Sequence, residues 1–207
     1  MTAPVRARPL NPRNVWKVNE DPRALEEAYM KLLGRNGHKI LPEDVMWLAV
    51  THKSFDHGRR GFNDRLAFYG KRLLDMQATL AMLSIPTAIK TTHDKYGRPP
   101  FIPAALASVG LLDETKKSQL AGKKRLADIA VQCGFDSVIR WKPKQTRDLK
   151  ASGLDGILTH TMYAIVGALA LHRGGAAANE LVREKLMMPV SPLPRETEAE
   201  TAAETSA

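Results

Sequence analysis

At 207 residues, of which 43% are hydrophobic, the chain is long enough to close one sizeable core, which excludes disorder throughout. Its 31 Lys and Arg against 22 Asp and Glu leave a net charge of +9, an excess that favours an anionic partner, nucleic acid first and an anionic membrane surface second. The longest uninterrupted apolar stretch, Met162 to Leu171, is half the roughly twenty residues a bilayer-spanning helix needs, which argues against membrane insertion. Cys133 stands alone, so a disulfide framework is excluded and the thiol reads as a small buried hydrophobe.

Residues 1–20 read as a basic extended arm, with Arg6, Arg8, Arg13 and Lys17 ahead of the first acid, Glu20. Pro4, Pro9 and Pro12, and the lack of serine before Ser54, favour such an arm over the alternative of a cleavable amphipathic presequence. Residues 21–188 then read as one all-α domain. Asp21-Pro22 supplies an N-cap and an N1 proline, Leu25, Tyr29, Leu32 and Leu33 recur on one face, and Gly34 ends the helix. A second helix follows Pro42, with Val45, Met46, Leu48 and Ala49 inward, and runs into Thr51-His52-Lys53-Ser54. A long third helix starts at Asn63 as N-cap, carries Leu66, Phe68, Leu73, Leu74, Leu80 and Leu83, and stops before Pro86. Shorter helices are expected over Ala104–Leu112, Thr115–Leu120 and Lys123–Gly134, the last with Leu126, Ile129, Ala130 and Cys133 on one stripe. A long apolar helix spans Leu154–Leu171 and a polar-faced one Ala177–Leu186. Residues 189–207 read as a Pro-rich linker and an acidic tail expected to be disordered; from Arg195 on it holds four Glu and one Arg, so the preceding residues carry +12. No segment alternates with period two and no repeat is visible.

Two stretches carry more than periodicity. Thr51-His52-Lys53-Ser54-Phe55 is followed by Asn63-Asp64-Arg65-Leu66-Ala67-Phe68-Tyr69-Gly70-Lys71, and Thr161 to Leu169 reads Thr-Met-Tyr-Ala-Ile-Val-Gly-Ala-Leu. Together with Arg125-Leu126-Ala127-Asp128-Ile129-Ala130 and Gly134-Phe135-Asp136 between them, their order and spacing resemble the ribonuclease III domain over residues 40–175. The resemblance implies a helical nuclease fold. Active members of that family hold divalent metal between two carboxylates at i and i+4 on the signature helix and two at i and i+3 on the closing helix, each pair on one helical face. Oxygen donors of this kind suit Mg²⁺, which activates water for phosphodiester attack.

By that resemblance the four positions here are Ala67, Lys71, His160 and Tyr163, a degenerate site without a carboxylate. A lysine ammonium about 4 Å from a divalent cation repels it by roughly 2 kcal/mol in water and by about 8 kcal/mol at an effective dielectric of 20. Metal binding is then reversed in sign, so no catalytic residue, metal or cofactor is expected. Asp64 survives at the signature's first acidic position, which the resemblance places in the outer shell. With no Asp or Glu nearby in sequence placed as a triad partner, and no metal, His160 reads as a hydrogen-bonded helix histidine and not a general base. Tyr163 reads as packing. His52 and Ser54 suggest a Ser/His pair, but two residues apart at a helix end they should point in different directions and cap structure instead. Phe68 is either the aromatic that family members insert into the partner protomer or an ordinary core residue.

Basic clusters recur at Arg59-Arg60, Lys71-Arg72, Lys116-Lys117, Lys123-Lys124-Arg125 and, within 142–147, Lys142, Lys144 and Arg147. One such cluster is usually a solvated face; this many on an all-α core, with Arg6, Arg8 and Arg13 on the arm, favour phosphate contacts. A basic domain of this type with no double-stranded-RNA-binding domain after it is similar to the short ribonuclease III-like proteins of the mitochondrial large ribosomal subunit. That resemblance implies a structural ribosomal component in the mitochondrial matrix, bound to rRNA, to a second, longer ribonuclease III-like ribosomal protein and to other large-subunit proteins. The rivals are a free RNA-maturation or RNA-binding factor and an active compact ribonuclease III.

Overall fold

Asp21 opens the first helix by accepting a hydrogen bond from the Arg23 amide at 3.0 Å, and Gly34 closes it at φ +92°, a conformation few side chains tolerate. In this computed structural model, which describes residues 16–56, 59–84, 95–98, 109, 112 and 114–187, that helix is α1 (Pro22–Leu33). It is followed by α2 (Glu43–Ala49), α3 (Asp64–Leu83), α4 (Glu114–Ala121), α5 (Lys123–Cys133), α6 (Leu154–Arg173) and α7 (Gly175–Leu181). Short 3-10 turns at Gly37–Lys39 and Phe135–Ser137, and a π-helical turn at Val182–Leu186, complete the described residues. The fold is all-α, as the period of the apolar residues predicts. Its one strand-like pairing among the described residues is a parallel bridge between Thr51 and Arg140.

The core is built around α6. Its 20 residues reach a mean hydropathy of 1.4, long and apolar enough by length and composition to cross a bilayer, so the short uninterrupted apolar run is not what decides the matter. Packing decides it. From Leu158 to Ala170, residues on every side of α6 are buried, against α3 on one flank and α5, α2 and α7 on the others. Fully buried Leu158, Met162 and Ile165 each contribute about 1.5–3 kcal/mol by leaving water. The α1 helix closes the bundle through Tyr29, whose ring meets Phe135 edge-on at 5.4 Å and whose hydroxyl donates to the Met46 carbonyl at 3.2 Å. Burial holds that phenol far above the ordinary tyrosine range. Cys133 is buried, and burial likewise raises its thiol.

Three local expectations need correction. Asn63 precedes α3, but its side chain does not cap it; fully buried, it donates from Nδ2 to the Ala49 carbonyl at 2.9 Å and so ties α3 to the end of α2. Phe68 and Leu80, placed among the apolar residues of α3, are 67% and 42% exposed, because α3 is apolar on an outward as well as an inward face. The core reading of Phe68 therefore fails. On α2, Met46 and Ala49 are buried and Val45 packs against the core while partly buried, whereas Leu48, expected inward, is partly buried and not part of that packing. The expected helix over 104–112, except residues 109 and 112, and the arm before residue 16 and the tail after 187 lie outside the described residues.

Candidate functional site

The α3 and α6 helices cross backbone against backbone. A Cβ on Gly70 would collide with the Tyr163 carbonyl and the Gly167 amide, and one on Gly167 would collide with the Leu66 carbonyl. Only glycine permits this approach, and it brings residues 66–70 of α3 against 163–167 of α6. Ala67 and Lys71 flank the crossing on α3, His160 and Tyr163 on α6. Ala67 is buried, Lys71 is exposed, and His160 and Tyr163 are part-buried.

One turn from the crossing, Asp64 gathers the polar groups. Its Oδ1 accepts from His160 Nε2 at 3.0 Å and its Oδ2 lies 3.4 Å from Lys53 Nζ. His160 does have an acidic partner, 96 residues away in sequence and on the neighbouring helix. His52 and Ser54 also meet, against the expectation that they diverge. The Ser54 amide donates to His52 Nδ1 at 3.2 Å, and Ser54 Oγ lies 2.9 Å from the same nitrogen while accepting the Lys142 amide at 3.0 Å. Nδ1 is thus an acceptor, so neutral His52 carries its proton on Nε2. Burial holds His52 below the ordinary histidine range, helped by His160 and Lys53 and opposed by Asp64. The His52 and His160 rings stand edge to face at 5.9 Å.

This chemistry does not make a triad. Asp64 orients His160, whereas the Ser54 hydroxyl addresses His52, so the acid and the alcohol sit on different imidazoles. Ser54 instead joins the 51–54 turn to the 140–142 segment, which the Thr51 bridge and the His52 amide donating to Arg140 O at 2.8 Å also hold. Among the described residues no three His, Cys, Asp or Glu side chains converge to hold a metal ion. Tyr163 packs against the core, and burial, then the charge of Asp75, raise its hydroxyl above the ordinary range.

Cations recur on the elements next to this cluster. Thr159, next to His160, donates to the Lys123 carbonyl at 2.9 Å, which sets the start of α5 beside α6. Lys123 and Lys124 are exposed there and Arg125 is half-buried. Three cations in a first turn without an acid oppose the positive end of the helix dipole, an arrangement that an external anion relieves. Exposed Lys142, Lys144 and Arg147 lie on the loop that enters α6. Arg59 and Arg60 are exposed on the loop before α3, Arg60 lying 3.5 Å from Asp56. Lys117 is committed to Asp75 at 3.6 Å, tying α4 to α3. Lys71 and Arg72 are exposed, the Arg72 guanidinium lying 5.3 Å over the Phe68 ring. The side chain of Lys116, and Arg6, Arg8 and Arg13, lie outside the described residues.

Sequence reasoning did not single out Arg140, which stacks 3.7 Å over the Trp47 ring while burial lowers its pKa, or Trp16, whose ring meets Trp141 edge-on at 6.2 Å. Both pairs join residues about a hundred positions apart, which no local spacing signals.

The Ribonuclease-III-like family model matches residues 42–190. The chain is 42% identical over 175 residues to Large ribosomal subunit protein mL57 of Neurospora crassa, covering 84% of this chain and 66% of that protein. It is 28% identical over 151 residues to Ribonuclease 3 of Thermobifida fusca, covering 70% and 53% respectively. The match therefore spans under two thirds of either relative's length. The nuclease domain of ribonuclease III from Campylobacter jejuni superposes with a TM-score of 0.54 at 20% identity, over 78% of this chain and 95% of that one, a likeness of fold. Motifs, helix order, family model and relatives agree: the chain belongs to the ribonuclease III-like family.

Proposed function

We propose that the protein is a structural component of the mitochondrial large ribosomal subunit, in which a ribonuclease III fold that no longer cleaves RNA is held against rRNA. The observation that carries this reading is the 42% identity to mL57 across 84% of the chain; it is supported by the Ala67, Lys71, His160 and Tyr163 set, which the motif resemblance puts in place of the family's metal carboxylates. Lys71 opposes a cation there, and Asp64 is already taken by Lys53 and His160. The exposed cations of 123–124 and 142–147 neutralise phosphates, and Arg6, Arg8 and Arg13 extend that contact along the arm. A second ribonuclease III-like protein docks on α3 around the exposed Phe68, beside other large-subunit proteins.

Sedimentation through a salt-washed gradient tests the assignment: the protein should travel with mitochondrial large subunits. Its retention at the top of the gradient while large subunits pellet overturns the ribosomal reading in favour of a free RNA-maturation factor. Incubation of the purified chain with duplex RNA and Mg²⁺ or Mn²⁺ tests the loss of chemistry, and the RNA should stay intact. Metal-dependent cleavage that disappears on changing His160 or Tyr163 would restore the nuclease reading.

A further inference from the structure

The outward face of α3 has a composition that does more than bury itself against any apolar surface. By the 3.6-residue repeat, positions 65, 68, 69, 72, 76 and 80 share one side of the helix. Arg65 and Arg72 are exposed there, and Phe68, Tyr69, Met76 and Leu80 are 67%, 39%, 47% and 42% exposed. The stripe contains no acid. The two acids of α3, Asp64 and Asp75, border it, Asp75 one turn from Arg72, but both are already engaged, by Lys53, His160 and Lys117. Among the described residues neither Arg65 nor Arg72 has a carboxylate within ion-pair distance, and Arg72 rests on the Phe68 ring at 5.3 Å.

We propose that this stripe selects its partner by charge: it docks a different protein whose apolar face carries carboxylates opposite Arg65 and Arg72, and it rejects a second copy of this chain. The inference rests on the reading above that α3 is the docking face, and adds which chemistry that face accepts. In an isologous contact each residue of the patch meets the same patch on the other copy, so two copies bring four arginines together with no acid between them. Desolvating like charges at an interface disfavours the pairing, whereas a carboxylate from another protein completes each guanidinium. A nucleic acid fits this stripe less well. Bases stack on open aromatic faces, but Arg72 covers one face of the Phe68 ring, and Met76 and Leu80 offer aliphatic surface that packs against protein side chains.

A charge-reversed copy of the chain supplies the required partner chemistry. Sedimentation velocity is run on the full wild-type chain, on R65E/R72E, and on their equimolar mixture, with no RNA present. Each protein alone should remain a monomer, and the mixture should form a one-to-one dimer at least about tenfold tighter than either self-association, lost when F68A is added to one partner. Self-association of the wild type through this face overturns the proposal, as does a mixture no tighter than the wild type alone. If R65E/R72E fails to melt cooperatively, R72E carries the same comparison. A mixture that stays monomeric while R65E/R72E loses duplex-RNA affinity assigns the stripe to RNA and also overturns it. The assay contains no ribosomes, so its failure leaves the gradient test of the large-subunit reading untouched, and failure of the gradient leaves this one standing.

Discussion

The two sides of α3 handle charge in opposite ways. On the side that meets α6, every acid is partnered: Asp64 by His160 and Lys53, Asp75 by Lys117, all of them across element boundaries. On the outward side two arginines stand among four exposed apolar side chains with no acid. The inner side is satisfied within one chain, whereas the outer side leaves its apolar and cationic groups to solvent. A single helix of 20 residues thus separates a polar cluster closed by ion pairs from a surface that the chain itself leaves exposed.

That contrast predicts very different sensitivities, the largest at the crossing itself. Gly167→Val should cost more than about 3 kcal/mol, read from urea unfolding, because its Cβ meets backbone atoms that cannot step aside. Asp64→Ala should cost about 1–2 kcal/mol by the same measurement, since it strands the His160 N–H and Lys53 together; Asp64→Asn keeps an acceptor and should recover most of that loss. Phe68→Ala, a change that costs about 3–5 kcal/mol in a packed core, should cost about 0.5 kcal/mol or less here, the worth of an exposed cation–π contact. A large loss at Phe68 would abolish the distinction between the two sides. Beyond α3, replacing Lys123 and Lys124 with Gln should lower the salt slope of RNA binding by about one for each phosphate contact removed, measured by titration at several salt concentrations.

How much of this was legible in the sequence depended on whether its cause was local. Asp21-Pro22 and Gly34 bound α1 because capping is decided within a few residues. The signature and closing helices were placed by motif, and Gly70 and Gly167 sit inside those motifs because the crossing demands them. Periodicity marked α3 as apolar yet could not say which apolar residues face inward, since the helix serves two surfaces and a hydrophobic pattern is blind to which one the chain itself covers. Asn63 was read as a cap from its type; the Ala49 carbonyl that its side chain reaches is set by how α2 meets α3. The Asp64–His160 pair joins positions 96 apart, and nothing short of the fold puts them together.

The smallest expected effect probes the inner side through pH. His52 titrates below the ordinary value of about 6.5 because it is partly buried and faces His160 and Lys53, with Asp64 as the opposing charge. The folded state therefore binds fewer protons at this residue than the unfolded chain between that depressed value and the ordinary one. Stability contributed by neutral His52 is fully present above about pH 6.5 and is lost as pH falls through the folded value, so urea midpoints should decline on acidification across that window. His52→Asn should flatten the decline, because asparagine can still accept the Ser54 amide without taking up a proton. Phe68→Ala, on the other side of α3, should leave the slope as it is. An identical flattening from both variants would mean that the pH response is not seated in the Asp64 cluster at all, and that the two sides of α3 are electrostatically one.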